Sequence, residues 1–381
     1  MRSAGYEDIW PRVAEIVADV RVRGDAALLD WTEELDGVRL ASPRVLAAEL
    51  AAASLDDEAL VALRRLAAAI RLFHAAQRPP EYRVSPYPGI EAERRFVPLD
   101  SVGVYAPGGL AAYPSSLLMA VVPARVAGVK RIAVATPRPS PGMLAAAREL
   151  GVDEVYAVGG AQAVAAFAFG TETVVGVDKI VGPGNRWVTA AKLLVSAHVG
   201  IDLPAGPSEV LIIADETADP ALCAADLRAQ LEHGPDGAAV LVTTSTGLAV
   251  AVAALCPEAE TRVVGSLDEA IEASNAFAPE HLQLHVADPE ALAALVTSAG
   301  AVFLGEQTSS VLGDYAVGTN HVLPTGGLAR AAGGLGLEAF LKPIQFVRAT
   351  PEGVAAAAAI VGPLARVEGL PLHAAAVEAR L

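Results

Sequence analysis

The 381-residue chain carries 28 Lys and Arg against 44 Asp and Glu, a formal net charge of −16, and is 53% hydrophobic against 19% charged. That balance excludes a disordered or solvating polymer, and the net negative charge, with no basic block to offset it, sets nucleic acid aside as a partner. The length exceeds what one hydrophobic core usually serves, so two core-bearing domains are expected.

The N-terminus, MRSAGYEDIWPRVAEIV, lacks the basic region, apolar run and small-residue cleavage site of an export signal. Residues 7–76 read as helices, with apolar residues at three- and four-residue spacing and breaks at Arg23-Gly24-Asp25 and Asp36-Gly37. From about residue 101, β-branched runs alternate with helical segments, with strands expected near 131–135, 154–157, 179–181, 210–214, 239–243, 261–264, 282–286 and 301–304. Such alternation predicts an α/β fold with parallel sheets covered by helices. The Pro- and Gly-rich segment DLPAGPSEV (202–210) interrupts the rhythm and reads as a crossing between two Rossmann-like, doubly wound halves. Residues 336–381 form an Ala-rich helical tail, too short for a core of its own and expected to pack on something else, including a second subunit. The two cysteines, Cys223 and Cys256, make neither a disulfide framework nor a CxxC metal knot and suit a reducing cytoplasm. The longest apolar stretches, 117–124 and 353–365, fall short of the roughly 18 residues of a membrane span.

Several polar constellations stand out. Gln230-Leu231-Glu232-His233 closes a helix opened by Asp219-Pro220, and its Gln and His, three apart, share one face. Both can reach one metal, and a histidine in the last turn equally suits the helix dipole. Glu280-His281 follows Pro279 at the start of LQLHV, pairing an imidazole able to take an alcohol proton with a carboxylate able to act on water. His285, alternating with it, reads as structural. Asp314 and His321 lie beyond the strand AVFLG, where open α/β sheets place ligand groups at the carboxyl ends of strands. Glu368 and His373 stand in the tail, whereas His74 and His198 read as packing or surface residues. Four of the seven histidines thus sit beside Gln, Glu or Asp in loops or at helix ends, and imidazole with oxygen donors suits zinc, with manganese also open. No GxGxxG fingerprint occurs. Glycine-rich turns at 104–116, 159–163 and 181–185 offer backbone amides to phosphates, although tight turns need glycine in any case.

Taken together and in order, VGVYAPGGLAAYPSSLLMAVVPARVAGV, GGAQAVAAFAFGTE, DKIVGPGN, AGPSEVLIIAD, AQLEHGPD, NAFAPEHLQL, GDYAVGTNHVLPTGG and EGLPLHA resemble the histidinol dehydrogenase family from about residue 12 to the end. The resemblance implies a cytoplasmic, zinc- and NAD-dependent oxidation of L-histidinol to L-histidine through a bound aldehyde, with two NAD reduced, as the last step of histidine biosynthesis. It implies a homodimer whose tails are exchanged. The expected division is 1–104 with 209–335 as one domain, 105–208 as the second and 336–381 as the tail.

Carried over residue by residue, the resemblance makes Gln230, His233, Asp314 and His373 the zinc ligands, with His373 supplied by the other subunit. Ser208, His321 and Glu368 contact the substrate together with His281 and the ligand residues, and Tyr105, Gln162 and Asn185 bind NAD. Glu280 and His281 match the catalytic pair. Ser309-Ser310 departs from the family pattern, where a proline-containing pair often stands, and the N-terminus is shorter. Rival readings are a related dehydrogenase acting on another small alcohol, a zinc hydrolase turning over without nicotinamide, and a non-catalytic binder of histidinol and zinc.

Overall fold

The computed structural model describes residues 5–108, 113–204 and 206–381. Its strands are β1 (Tyr82–Tyr87), β2 (Ile90–Pro98), β3 (Ser101–Tyr105), β4 (Arg131–Ala135), β5 (Glu154–Tyr156), β6 (Lys179–Val181), β7 (Gly200–Ile201), β8 (Glu209–Ala214), β9 (Ala238–Thr243), β10 (Glu260–Val263), β11 (His281–His285), β12 (Ala301–Leu304) and β13 (Leu341–Ala349). The chain divides into two units, Met1–Gln77 with Asp100–Phe340, and Arg78–Leu99 with Leu341–Leu381.

The larger unit is mixed α/β and contains two five-stranded sheets, ordered β5-β4-β3-β6-β7 and β10-β9-β8-β11-β12. All strand pairs in both are parallel. In each sheet the first strand in sequence lies in the middle, and the order turns beside it. The segment EVLIIA of β8 shows why this region forms a covered parallel strand. Val210, Ile212 and Ala214 enter a core with the helices Pro220–Leu231 and Thr246–Leu255, while Leu211 and Ile213 enter another with Leu267–Phe277. A strand buried on both faces has no use for polar alternation.

The helices Trp10–Arg23 and Asp25–Asp36 bury Val13, Ile16, Val20, Leu28 and Trp31 in one core with Tyr105, Ala133, Val164 and Val188 of the first sheet and its helices. The expected grouping of residues 1–104 with 209–335 is therefore corrected: the apolar faces of the N-terminal helices find their partners on the first sheet, which itself begins at Ser101. The breaks read at Gly24 and Gly37 are real, with φ of 60° and 65°.

The smaller unit is an antiparallel sheet, β1-β2-β13, with the helices Pro351–Val367 and Pro371–Glu378. β13 pairs with β2 without interruption from Leu341↔Pro98 to Ala349↔Ile90. The tail expected to be helical thus opens with a nine-residue strand, LKPIQFVRA, whose partner lies far back in the sequence. Among the described residues no helix is long and apolar enough to cross a membrane.

Candidate active site

A pocket of about 280 Å³ in the larger unit is lined by loops of both sheets, with Ser116 and Gly184 from the first and Ser208, His233, Glu280, His281, Asp314 and His321 from the second. Its second-sheet residues stand at the amino ends of strands: Ser208 precedes β8, and His281 is the first residue of β11. This corrects the expectation of a site beyond strand carboxyl ends, which holds only for the first sheet. The helix Pro220–Leu231 and the short helix Ser310–Tyr315, both following strands, carry Gln230, His233 and Asp314 to the same edge.

β8 and β11 are neighbours, with Val210 opposite His281. Their pairing places the backbone of one residue, Glu209, against both central side chains. The Glu209 N–H donates to Glu280 Oε2 at 2.9 Å, and the Glu209 carbonyl lies 3.2 Å from His281 Nδ1. A carbonyl only accepts, so Nδ1 carries the proton and Nε2 keeps its lone pair. The Ser208 hydroxyl donates to Glu280 Oε2 at 2.7 Å. Burial pushes the Glu280 carboxyl up to about 7 despite these two hydrogen bonds. Burial also lowers His281, against the pull of the Asp314 carboxylate, whose Oδ1 lies 3.8 Å from Nε2. The site therefore presents a neutral imidazole beside a carboxyl poised near neutrality, 3.6 Å apart.

Around this pair lie the other groups. Burial raises Asp314 to about 6 and depresses His321 to about 4. His321 Nδ1 is 3.7 Å from Asp314 Oδ1, and its Nε2 is 3.1 Å from Ser116 Oγ, which ties the two halves of the pocket together. Gln230 is buried, with Oε1 3.3 Å from Ser208 Oγ and Nε2 without a hydrogen-bond partner among the described residues. The single Ser208 hydrogen serves Glu280, so the Gln230 amide oxygen is under-satisfied. His233 is exposed in the turn after its helix, at the pocket wall.

Glu368 and His373 are not brought to this group. They are exposed residues of the smaller unit, Glu368 capping the helix Pro351–Val367 and His373 within Pro371–Glu378. Among the described residues no cluster of three or more His, Cys, Asp or Glu has metal-holding geometry.

The cofactor candidates gather at the carboxyl edge of the first sheet, where the order turns between β3 and β6, and none lines the pocket. Tyr105 ends β3, and its hydroxyl accepts from the Gly160 N–H at 3.2 Å. Gln162 is fully buried, with Nε2 3.4 Å from Asp36 Oδ2 and Oε1 unpartnered among the described residues. Asn185 caps the helix Arg186–Val195 by accepting from two backbone amides. The turn before it is pinned from below: buried Lys192 pairs with Asp202 and donates to the carbonyl of Gly182, whose N–H donates to Asp202. Part of the glycine-rich segment 104–116, residues 109–112, lies outside the described residues.

Sequence reading missed Ser116 and Glu209. The first had a signal, serines in the opening turn of a helix started by Pro114. Glu209 acts through its backbone, and side-chain chemistry gives no sign of that.

The fold and pocket define an α/β protein built on two parallel sheets, with a buried carboxyl and imidazole at the centre of its pocket. The family model described as histidinol dehydrogenase matches residues 1–381. A histidinol dehydrogenase of Halobacterium salinarum is 48% identical over 100% of this chain and 95% of its own length. One from Geobacillus kaustophilus is 45% identical over 99% and 95%. The crystal structure of histidinol dehydrogenase from Elizabethkingia anophelis superposes with a TM-score of 0.92 at 37% identity, covering 100% of this chain and 93% of that one. The chain belongs to the histidinol dehydrogenase family.

Proposed function

We propose that this protein oxidises L-histidinol to L-histidine in two steps at the pocket around His281, as the closing reaction of histidine biosynthesis. The observation that carries the reading is the Glu209 carbonyl on His281 Nδ1, which leaves Nε2 as an available base, with the Glu280 carboxyl 3.6 Å from Nδ1 on the other side of the ring.

His281 Nε2 takes the hydroxyl proton of the alcohol as hydride departs from the adjacent carbon. Once His281 has released that proton to solvent, Glu280 draws a proton from the water that adds to the aldehyde, and the neutral His281 takes the proton of the resulting hydrate as the second hydride leaves. NAD, when bound, supplies the hydride acceptor for both steps. The central-strand-first order of the first sheet supports a Rossmann-like, doubly wound cofactor site beyond β3 and β6, contacted by Tyr105, Gln162 and Asn185. The buried, unpartnered Gln162 Oε1 fits a ligand there.

Gln230, His233 and Asp314 would hold zinc, with His373 of a second subunit as the fourth donor. The under-satisfied buried amide of Gln230, with an imidazole and a carboxylate at the same pocket, fits a borderline metal. Bound there, the ion supplies a fixed charge that anchors the imidazole and amino groups of the substrate. Ser208, His321 and Glu368 complete the substrate contacts. A homodimer with exchanged tails, working in the cytoplasm, is part of the same reading.

In the test, His281→Asn should lower the rate of L-histidinol-dependent NAD reduction by at least about 10³-fold while retaining zinc. A variant that loses its zinc, or that keeps its rate, overturns the assignment of His281 as base.

A further inference from the structure

Strand β11 is polar along one face where a central strand should be apolar. Leu282 and Leu284 enter a core cluster, but His281, Gln283 and His285 on the opposite face are all buried. Three such groups in a row are costly unless each finds a partner. His285 Nε2 lies 2.9 Å from Gln283 Oε1, and its Nδ1 lies 3.4 Å from Cys223 Sγ. The amide oxygen only accepts, so Nε2 carries the proton and Nδ1 accepts from the thiol, which burial keeps protonated. Gln283 Nε2 donates to Ser310 Oγ at 3.0 Å, and Ser309 Oγ donates to Asp226 Oδ1 at 2.6 Å. Asp226 Oδ2 stands 3.7 Å from His285 Nε2 and closes the set.

The network joins three elements, and each carries, one short step away, a residue that lines the pocket or touches its lining. Gln230 lies one helical turn beyond Asp226, Asp314 one turn beyond Ser310, and His281 two residues before Gln283. None of the network residues lines the pocket. We propose that Gln283, His285, Asp226 and Ser309 form a positioning set that fixes the helix Pro220–Leu231 and the helix Ser310–Tyr315 against β11, setting the spacing of Gln230 and Asp314 around His281. The inference rests on the metal-holding reading above.

Its test is Zn²⁺ affinity, measured on the purified full-length protein by competition with a chromogenic chelator, alongside the melting temperature of the zinc-free protein and kcat and KM for L-histidinol. Ser309→Ala should weaken Zn²⁺ binding by about 10–100-fold with only the small drop in zinc-free melting temperature expected from losing the cap that Ser309 Oγ gives the Val311 N–H, and Ser309→Thr, which keeps the hydroxyl for both the cap and Asp226, should restore it. Gln283→Met, which cuts the contacts to both His285 and Ser310, should weaken Zn²⁺ binding at least as much. Zn²⁺ affinity within twofold of the parent in both Ser309→Ala and Gln283→Met overturns the proposal. So does a loss in Ser309→Ala that Ser309→Thr does not restore. A parent protein that neither binds Zn²⁺ nor reduces NAD with L-histidinol overturns the functional reading, and this inference falls with it.

Discussion

Glu280 is a buried carboxyl that costs stability once it ionises. Its pKa rises from an ordinary value of 4.5 to about 7 because burial disfavours the charge more than Ser208 and Glu209 support it. The folded state therefore binds this proton more tightly than the unfolded chain, so stability falls as pH rises from about 4.5 to about 7, with the full cost present above that. Glu280→Gln keeps an accepting oxygen for Ser208 and Glu209 and removes the charge. It should raise stability at pH 8 by an amount on the order of 3 kcal/mol, change little at pH 4, and abolish oxidation of the aldehyde. Thermal melts at the two pH values check the sign, and a variant less stable than the parent at pH 8 contradicts it. At this scale much was readable: a Glu-His pair at a strand start and a Gln and His on one helix face announce chemistry by residue type. The backbone of Glu209, which orients both members of the pair, is invisible to such reading, because any residue there has the same N–H and C=O.

Secondary-structure elements show where glycine is obligatory and where it is a convenience. Gly182, after β6, has φ of 113°, and a Cβ there would come 2.1 Å from the Tyr105 backbone oxygen. Gly151 also has positive φ, 67°, but nothing lies within 4 Å of its would-be Cβ. Gly182→Ala should then cost on the order of 3 kcal/mol and weaken NAD binding, whereas Gly151→Ala should cost only about 1 kcal/mol, the strain of the backbone alone. Equal shifts in melting temperature would refute the steric argument. Parallel strands such as β8 and β9 are legible because strands buried on both faces read as β-branched and aliphatic runs. β1, YRVSPY, is exposed along its whole length and its proline speaks against a strand, and β2 is half-buried throughout. β13 was read as helix because its Ala-rich surroundings dominate composition and its partner strand is remote in sequence.

The whole molecule leaves an apolar surface uncovered on its smaller unit, where Val347, Val367 and Leu372 are 74%, 85% and 81% exposed. The proposed exchange of tails would cover these side chains and carry His373 of this unit to a second copy of the chain. Mixed dimers of inactive His373→Ala and inactive His281→Asn subunits should recover a fraction of the parental rate, since one pocket of each heterodimer draws on intact residues from both chains. Verified heterodimers without activity would count against an exchanged tail. The division into units was the least legible feature in the sequence, because packing partners of the N-terminal helices are set by faces that several apolar surfaces can match.

Oxidation of an alcohol to a carboxylate at one site is tested by counting NADH formed per L-histidinol consumed, with zinc loaded and with zinc chelated. Two NADH for each histidinol and loss of turnover on chelation are expected. One NADH with release of the aldehyde, or consumption of substrate with none, would contradict oxidation to the carboxylate at one site.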